Sequence, residues 1–148
     1  MKKLNKKGFT LIELLAVIVI LALLVAVAIP AVTKYLNTSR KGVFADNAAA
    51  AISAVRNDVI INGITGKETY DFEEINALLE KKLGNSPFGK PYSGSVEVTY
   101  NPTTNTSEYS IFLTDGTNCI GEKGDLAEEN TVDDSIVTVG NTTTCAAE

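Results

Sequence analysis

The polar and apolar positions along the chain fall into three stretches with different periods. Residues 9–32 hold 21 apolar side chains out of 24, and the run of 16 from Leu14 to Ile29 is unbroken. Thr10 and Glu13 interrupt the 21 residues from Phe9 to Ile29, which as a helix at ~1.5 Å per residue span roughly 31 Å, about a bilayer's hydrocarbon thickness. Past Pro30, Leu36, Val43/Phe44, Ala48, Ala51/Ile52, Val55 and Val59 recur every three or four residues or slightly more, among Lys34, Arg40, Asp46, Asn47, Arg56 and Asp58. This predicts a continuing amphipathic helix over residues 33–62, its stripe read as the core of a head domain rather than a partner-binding groove. Asn62-Gly63 suits its end.

Residues 71–83 predict a second, short helix. Asp71 is placed to cap it with Glu74 at the third position, and Phe72, Ile75, Leu78, Leu79 and Leu83 form its apolar face. Lys81 and Lys82 suit the negative end of its dipole. The following NSPFGKPYSG is loop by its prolines and glycines. From Ser95 the period becomes two, which predicts strands over 95–101 and 107–114 joined by a polar turn, with a third strand over 135–140. The expected fold class is α+β. A long N-terminal helix, its hydrophobic half protruding and its amphipathic half packed, lies against a small antiparallel sheet.

Charge changes this picture at both ends. Of 13 basic residues, Lys2, Lys3, Lys6 and Lys7 lie in the first eight positions, so the net −5 of the whole divides into +4 there and −5 − 4 = −9 over residues 9–148. The length of 148 residues allows one domain of ordinary size. Without histidine, Ser-His-Asp and Cys-His nucleophiles and His-ligated zinc are excluded. With two cysteines, a four-cysteine metal site within one chain is excluded too. No catalytic residue and no metal site is assigned, and the chain is read as no enzyme. The basic residues Lys34, Arg40, Lys41 and Arg56 do not outweigh −9, so no direct nucleic-acid partner is expected. Glu122, Asp125, Glu128, Glu129, Asp133 and Asp134, opposed by Lys123, are read as a solvated acidic loop; calcium over residues 121–134 is the alternative, and otherwise no cofactor is expected.

Three readings fit the N-terminal segment. The basic flank keeps the N-terminus cytoplasmic under the positive-inside rule, as for a plain signal anchor. Ala26-Val27-Ala28 offers an ordinary signal-peptidase site that would leave Ile29 first. The third reading must use Glu13, because an unpaired carboxylate opposes insertion by up to ~3 kcal/mol near the bilayer centre. Cleavage between Gly8 and Phe9 would place a new amine about one helical turn from Glu13, and a neighbouring copy could supply an equivalent amine.

The string KKGFTLIELLAVIVILALLVAVAIP resembles the N-terminus of the type IV pilin and pseudopilin superfamily over residues 2–37. The resemblance implies a leader at 1–8 removed between Gly8 and Phe9 by a prepilin peptidase, with N-methylation of Phe9. It implies a transmembrane and filament-core helix at 9–32, kinked at Pro30, and a head at 33–148. Glu13 would pair with the N-terminal amine of an adjacent subunit and set register. The implied partners are its own copies and sister pilins, the assembly platform and its ATPase, and the membrane, from which the subunit passes into an extracellular filament. A Gram-positive-type source is expected. Ala22 departs from the glycine many members carry, so any local melting of the helix leans more on Pro30. Many pilins close a C-terminal loop with a disulfide, and Cys119 and Cys145 resemble that pair; two free thiols are the alternative. A structural pilin is the leading function. A minor pilin or pseudopilin of a secretion or DNA-uptake machine with a binding head is the second, and an anchored or secreted domain without a filament the third.

Overall fold

The computed structural model describes residues 8–64, 66–121, 126–133, 135–139 and 145. Helix α1 runs Leu11–Asn62 and passes through Pro30. It ends where the sequence places the end: Gly63 takes φ 74° and its N–H bonds the Val59 carbonyl at 2.9 Å, a left-handed cap that glycine adopts without a Cβ penalty. Two units divide the chain, Met1–Asn37 and Thr38–Glu148. In the first, every described side chain is exposed, including all the apolar ones from Phe9 to Leu36.

In the second unit, Phe44, Ala48, Ala51, Ile52, Val55 and Val59 of α1 are buried, as the helical period predicts. Two members of the predicted stripe are not: Leu36 and Val43 remain about half exposed, because burial on α1 begins at Phe44. Ala45 and Ala54 are also buried; alanines broaden the contact without marking the period. The stripe packs on a sheet ordered β1-β2-β3-β4-β6, formed by β1 (Lys67–Asp71), β2 (Ser93–Asn101), β3 (Thr106–Thr114), β4 (Asn118–Ile120) and β6 (Thr138–Val139), with β5 (Ala127–Glu128) paired to β3. All pairings are antiparallel. Val96, Val98, Tyr109, Ile111, Leu113 and Ile120 join the α1 residues in one core. Each such large side chain contributes about 1.5–3 kcal/mol by leaving water. Phe44 meets Tyr92 edge-on at 5.1 Å, and the Tyr92 hydroxyl accepts from Asn47 at 2.9 Å.

The predicted hairpin is present over slightly longer strands, its nine pairs running from Ser93↔Thr114 to Asn101↔Thr106. Asn101 accepts the Thr103 and Thr104 N–H groups in the turn, and Asn105 takes φ 54°. Gly94 is required by close approach: a Cβ there would lie 2.0 Å from the Phe112 carbonyl oxygen.

Helix α2 and the last strand differ from expectation, and β1, β4 and β5 were not predicted. Helix α2 spans Phe72–Leu78 and not 71–83, although its capping box is the predicted one, with Glu74 N–H to Asp71 and Asp71 N–H to Glu74, both 2.9 Å. The chain leaves the helix at Leu79, and Asn76 Oδ1 accepts the Leu83 N–H at 2.7 Å. Leu79 and Leu83 thus reach the core from loop, and Lys81 and Lys82 lie beyond the helix. The strand expected at 135–140 is Thr138–Val139, because Asp133 accepts the Ser135 and Ile136 N–H groups in a turn of its own; residue 140 lies outside the described residues. Strand β1 was not expected: KETYD carries no apolar alternation and is defined by its pairing, Lys67↔Thr99 to Asp71↔Ser95.

One buried charge ties the loops together. Asp115, 5% exposed, accepts from Ser86 Oγ at 2.6 Å, from the Thr117 and Asn118 N–H groups at 2.9 and 2.7 Å, and from the Asn118 amide. Burial by itself raises the pKa of this carboxyl, but the hydrogen bonds from Ser86, Asn118 and Thr117 outweigh it and hold the group below its ordinary value of 3.8. A depressed folded-state pKa contributes stability that is complete above the unfolded value and is lost as pH falls through the folded one. Asp115→Ala should therefore destabilise the unit by about 1–3 kcal/mol near neutrality, with the gap to the unaltered protein narrowing below about pH 4. Thermal melts across pH in detergent check both statements; a gap that widens in acid contradicts them.

Candidate functional site

The residues singled out at the N-terminus lie at the start of α1. Gly8 and Phe9 precede the helix, and Phe9 is 91% exposed. Thr10 is the cap. Its carbonyl accepts the Leu14 N–H at 3.2 Å, and its hydroxyl oxygen accepts the Glu13 N–H at 3.3 Å. Glu13 answers: its Oε2 accepts both the Thr10 N–H and the Thr10 hydroxyl, each at 2.8 Å. This reciprocal arrangement is a capping box, and the carboxylate also sits at the positive end of the helix dipole.

The capping box bears on the problem Glu13 poses. A carboxylate among apolar side chains is costly where it lacks donors. Here Thr10, three residues away, gives Oε2 two donors, and among the described residues Oε1 accepts none. Among the described residues Glu13 is thus half satisfied, with one oxygen open to another donor. Thr10 was not among the predicted site residues, although Thr-x-x-Glu before an apolar run is a recognisable signal. Reading Glu13 only for its charge hid the local bond.

Pro30 lies 17 positions after Glu13 with helix on both sides. It lacks an N–H, so the Ala26 carbonyl loses its helical donor. The Thr33 hydroxyl donates to the Ile29 carbonyl at 2.9 Å, a back-bond that also favours bending.

Far along the chain, Cys119 and Cys145 form a disulfide, both side chains fully buried. With Phe112 and Leu126 they make a second small cluster on the sheet. Thr114 Oγ1 donates to the Cys145 carbonyl at 2.5 Å and fixes the returning chain. The described carboxylates of the acidic loop are not gathered: Glu129 pairs with Arg56, Asp133 serves its own turn, and Glu128 sits across from Ser110. Among the described residues there is no cluster of three carboxylates and thiols suited to a metal ion; Glu122, Asp125 and Asp134 lie outside them.

A capped, carboxylate-bearing apolar helix joined to an α+β unit is a pilin-like architecture. The family described as the prokaryotic N-terminal methylation motif matches residues 3–29. Fimbrial protein EcpC of Eikenella corrodens is 38% identical over 86 residues, covering 43% of this chain and 56% of the relative. The chain therefore spans little more than half the length of that relative. Both findings support the type IV pilin family; neither supports a Gram-positive source. No solved structure matches.

If the capping box holds Glu13, Thr10→Val should lower protection of the Glu13 amide about fivefold, the equivalent of the ~1 kcal/mol a cap contributes. Thr10→Ser should keep it. Hydrogen exchange in detergent reads the difference, and equal protection in both variants removes the cap.

Proposed function

We propose that this chain is a structural subunit of a type IV pilus or related filament. It is inserted in the membrane as a prepilin with its N-terminus cytoplasmic, cut after Gly8, N-methylated at Phe9 and polymerised through the helix that begins at Leu11. The observation that carries the reading is a carboxylate placed one turn into an exposed apolar helix, within the matched methylation motif.

The physical case rests on exposure. Leu11 is 87% exposed and Leu23 65%, with the large apolar residues between them more than half exposed. An apolar surface this long needs a cover, and two are available in turn: lipid before assembly and equivalent helices afterwards. Glu13 distinguishes the two states. In lipid it has Thr10; in a bundle of copies its second oxygen meets the Phe9 amine of a neighbour, and that ion pair relieves the cost of burial. Charge pairing at one depth sets axial register, and Pro30 gives the helix a place to bend during packing.

The mature N-terminus tests the processing step. Mass spectrometry of assembled protein should find N-methylated Phe9 first; Ile29 at that position would mean ordinary signal cleavage and end the pilin reading. Glu13→Ala should abolish or severely weaken recovery in sheared filaments while membrane insertion stays unchanged. Pili like those of the unaltered protein from that variant would sink the register argument.

A further inference from the structure

Among the described residues of the Thr38–Glu148 unit, one groove and one cleft are unused by this reading, and they are built on different layers of it. The first is a groove of about 600 Å³ between the outer side of α1, at Asn47, Ala50, Ser53 and Asn57, and the loop after α2 that carries Glu80, Lys81 and Lys82, where the two lysines outweigh the one carboxylate. Its α1 wall is built of small side chains, and both lysines are exposed. The second is a cleft of about 610 Å³ on the sheet, lined by Glu108, Ser110 and Glu128 among others. Alternation along β3 turns Tyr109 and Ile111 to the core, so Glu108 and Ser110 face the other way, and Glu128 stands opposite Ser110 in the ladder. The groove thus opens on the helix layer and the cleft on the sheet layer.

We propose that the Lys81–Lys82 groove of one copy docks the Glu108–Glu128 sheet face of the next. This contact rests on the filament reading and extends it from the apolar helices to the outer units. Charge selects the occupant. Residues 38–148 carry 8 basic and 17 acidic side chains, so like units repel unless a basic patch is turned toward an acidic one. Position selects the geometry. Patches on different layers cannot form a closed two-fold pair through one shared surface, whereas they repeat without limit head to tail, as an open helical polymer requires. The small residues of the α1 wall allow close approach, and the lysines at its rim supply the charge.

Charge exchange in the full chain, expressed with its assembly machinery, tests the contact. Lys81→Glu with Lys82→Glu should cut sheared filament about tenfold through like-charge repulsion, and Glu108→Lys with Glu128→Lys should do the same. All four together should restore most of it. Oxidised Cys119–Cys145 and unchanged membrane levels report folding in each variant. If a reversal pair fails to fold, Lys81→Gln with Lys82→Gln replaces it, and filaments of that variant should lose the salt sensitivity of the unaltered ones. Undiminished filaments from both reversal pairs, or no recovery in the folded fourfold variant, overturns the contact. A variant that blocks assembly only at Glu13 leaves the filament reading standing, so the two readings fail separately.

Discussion

One stripe of α1 decides the architecture of the Thr38–Glu148 unit. Phe44, Ile52, Val55 and Val59 leave water in one core with Val96, Val98, Ile111 and Leu113 of a sheet whose longest ladder is a single hairpin. A hairpin by itself is marginal in water, and a helix by itself has no reason to bury one face. Each completes the other. The dependence explains why the remaining strands can be as short as two residues: they extend a layer whose position the helix already sets. It also explains the placement of the polar groups. Asn47 on α1 satisfies the Tyr92 hydroxyl, and Arg56 lies 5.0 Å from the Tyr109 ring while pairing with Glu129, so the helix reaches both the loop before β2 and the segment after β5.

The same helix has an opposite chemistry in its first unit. There the apolar side chains have no cover in the described chain, and Glu13 has half its hydrogen bonds. These are two forms of incompleteness, one of area and one of charge. The first is non-directional and would be met by lipid or by protein alike. The second is directional and calls for a donor at one depth. On the proposed reading, the pairing of a tolerant need with a selective one would allow a single segment to be stable in a membrane and specific in an assembly.

Much of this was legible in the residues, for identifiable reasons. The α1 stripe and the β2–β3 hairpin show because their periods repeat over many positions, and Asp71 with Glu74 shows because a capping box is a local event three residues long. The end of α2 did not show: Leu79 and Leu83 keep helical spacing yet pack from a loop that Asn76 draws back. Strand β1 has no period to read, since Lys67, Glu68 and Thr69 lie at a sheet edge and pairing with β2 defines it. At the N-terminal site, Gly8, Phe9 and Glu13 were recognisable from the string itself. Thr10 was overlooked because its contribution is a reciprocal hydrogen bond, not a charge or a chemical group of unusual type.

The bond between Cys119 and Cys145 joins β4 to the returning chain, and the Thr114 hydroxyl of β3 donates to the Cys145 carbonyl beside it. Strand β6, and Val137 in the main core, can therefore open only within a covalently closed loop. A chain closed in this way presents proteases with a loop instead of a thread, and cuts within that loop would leave the two halves attached.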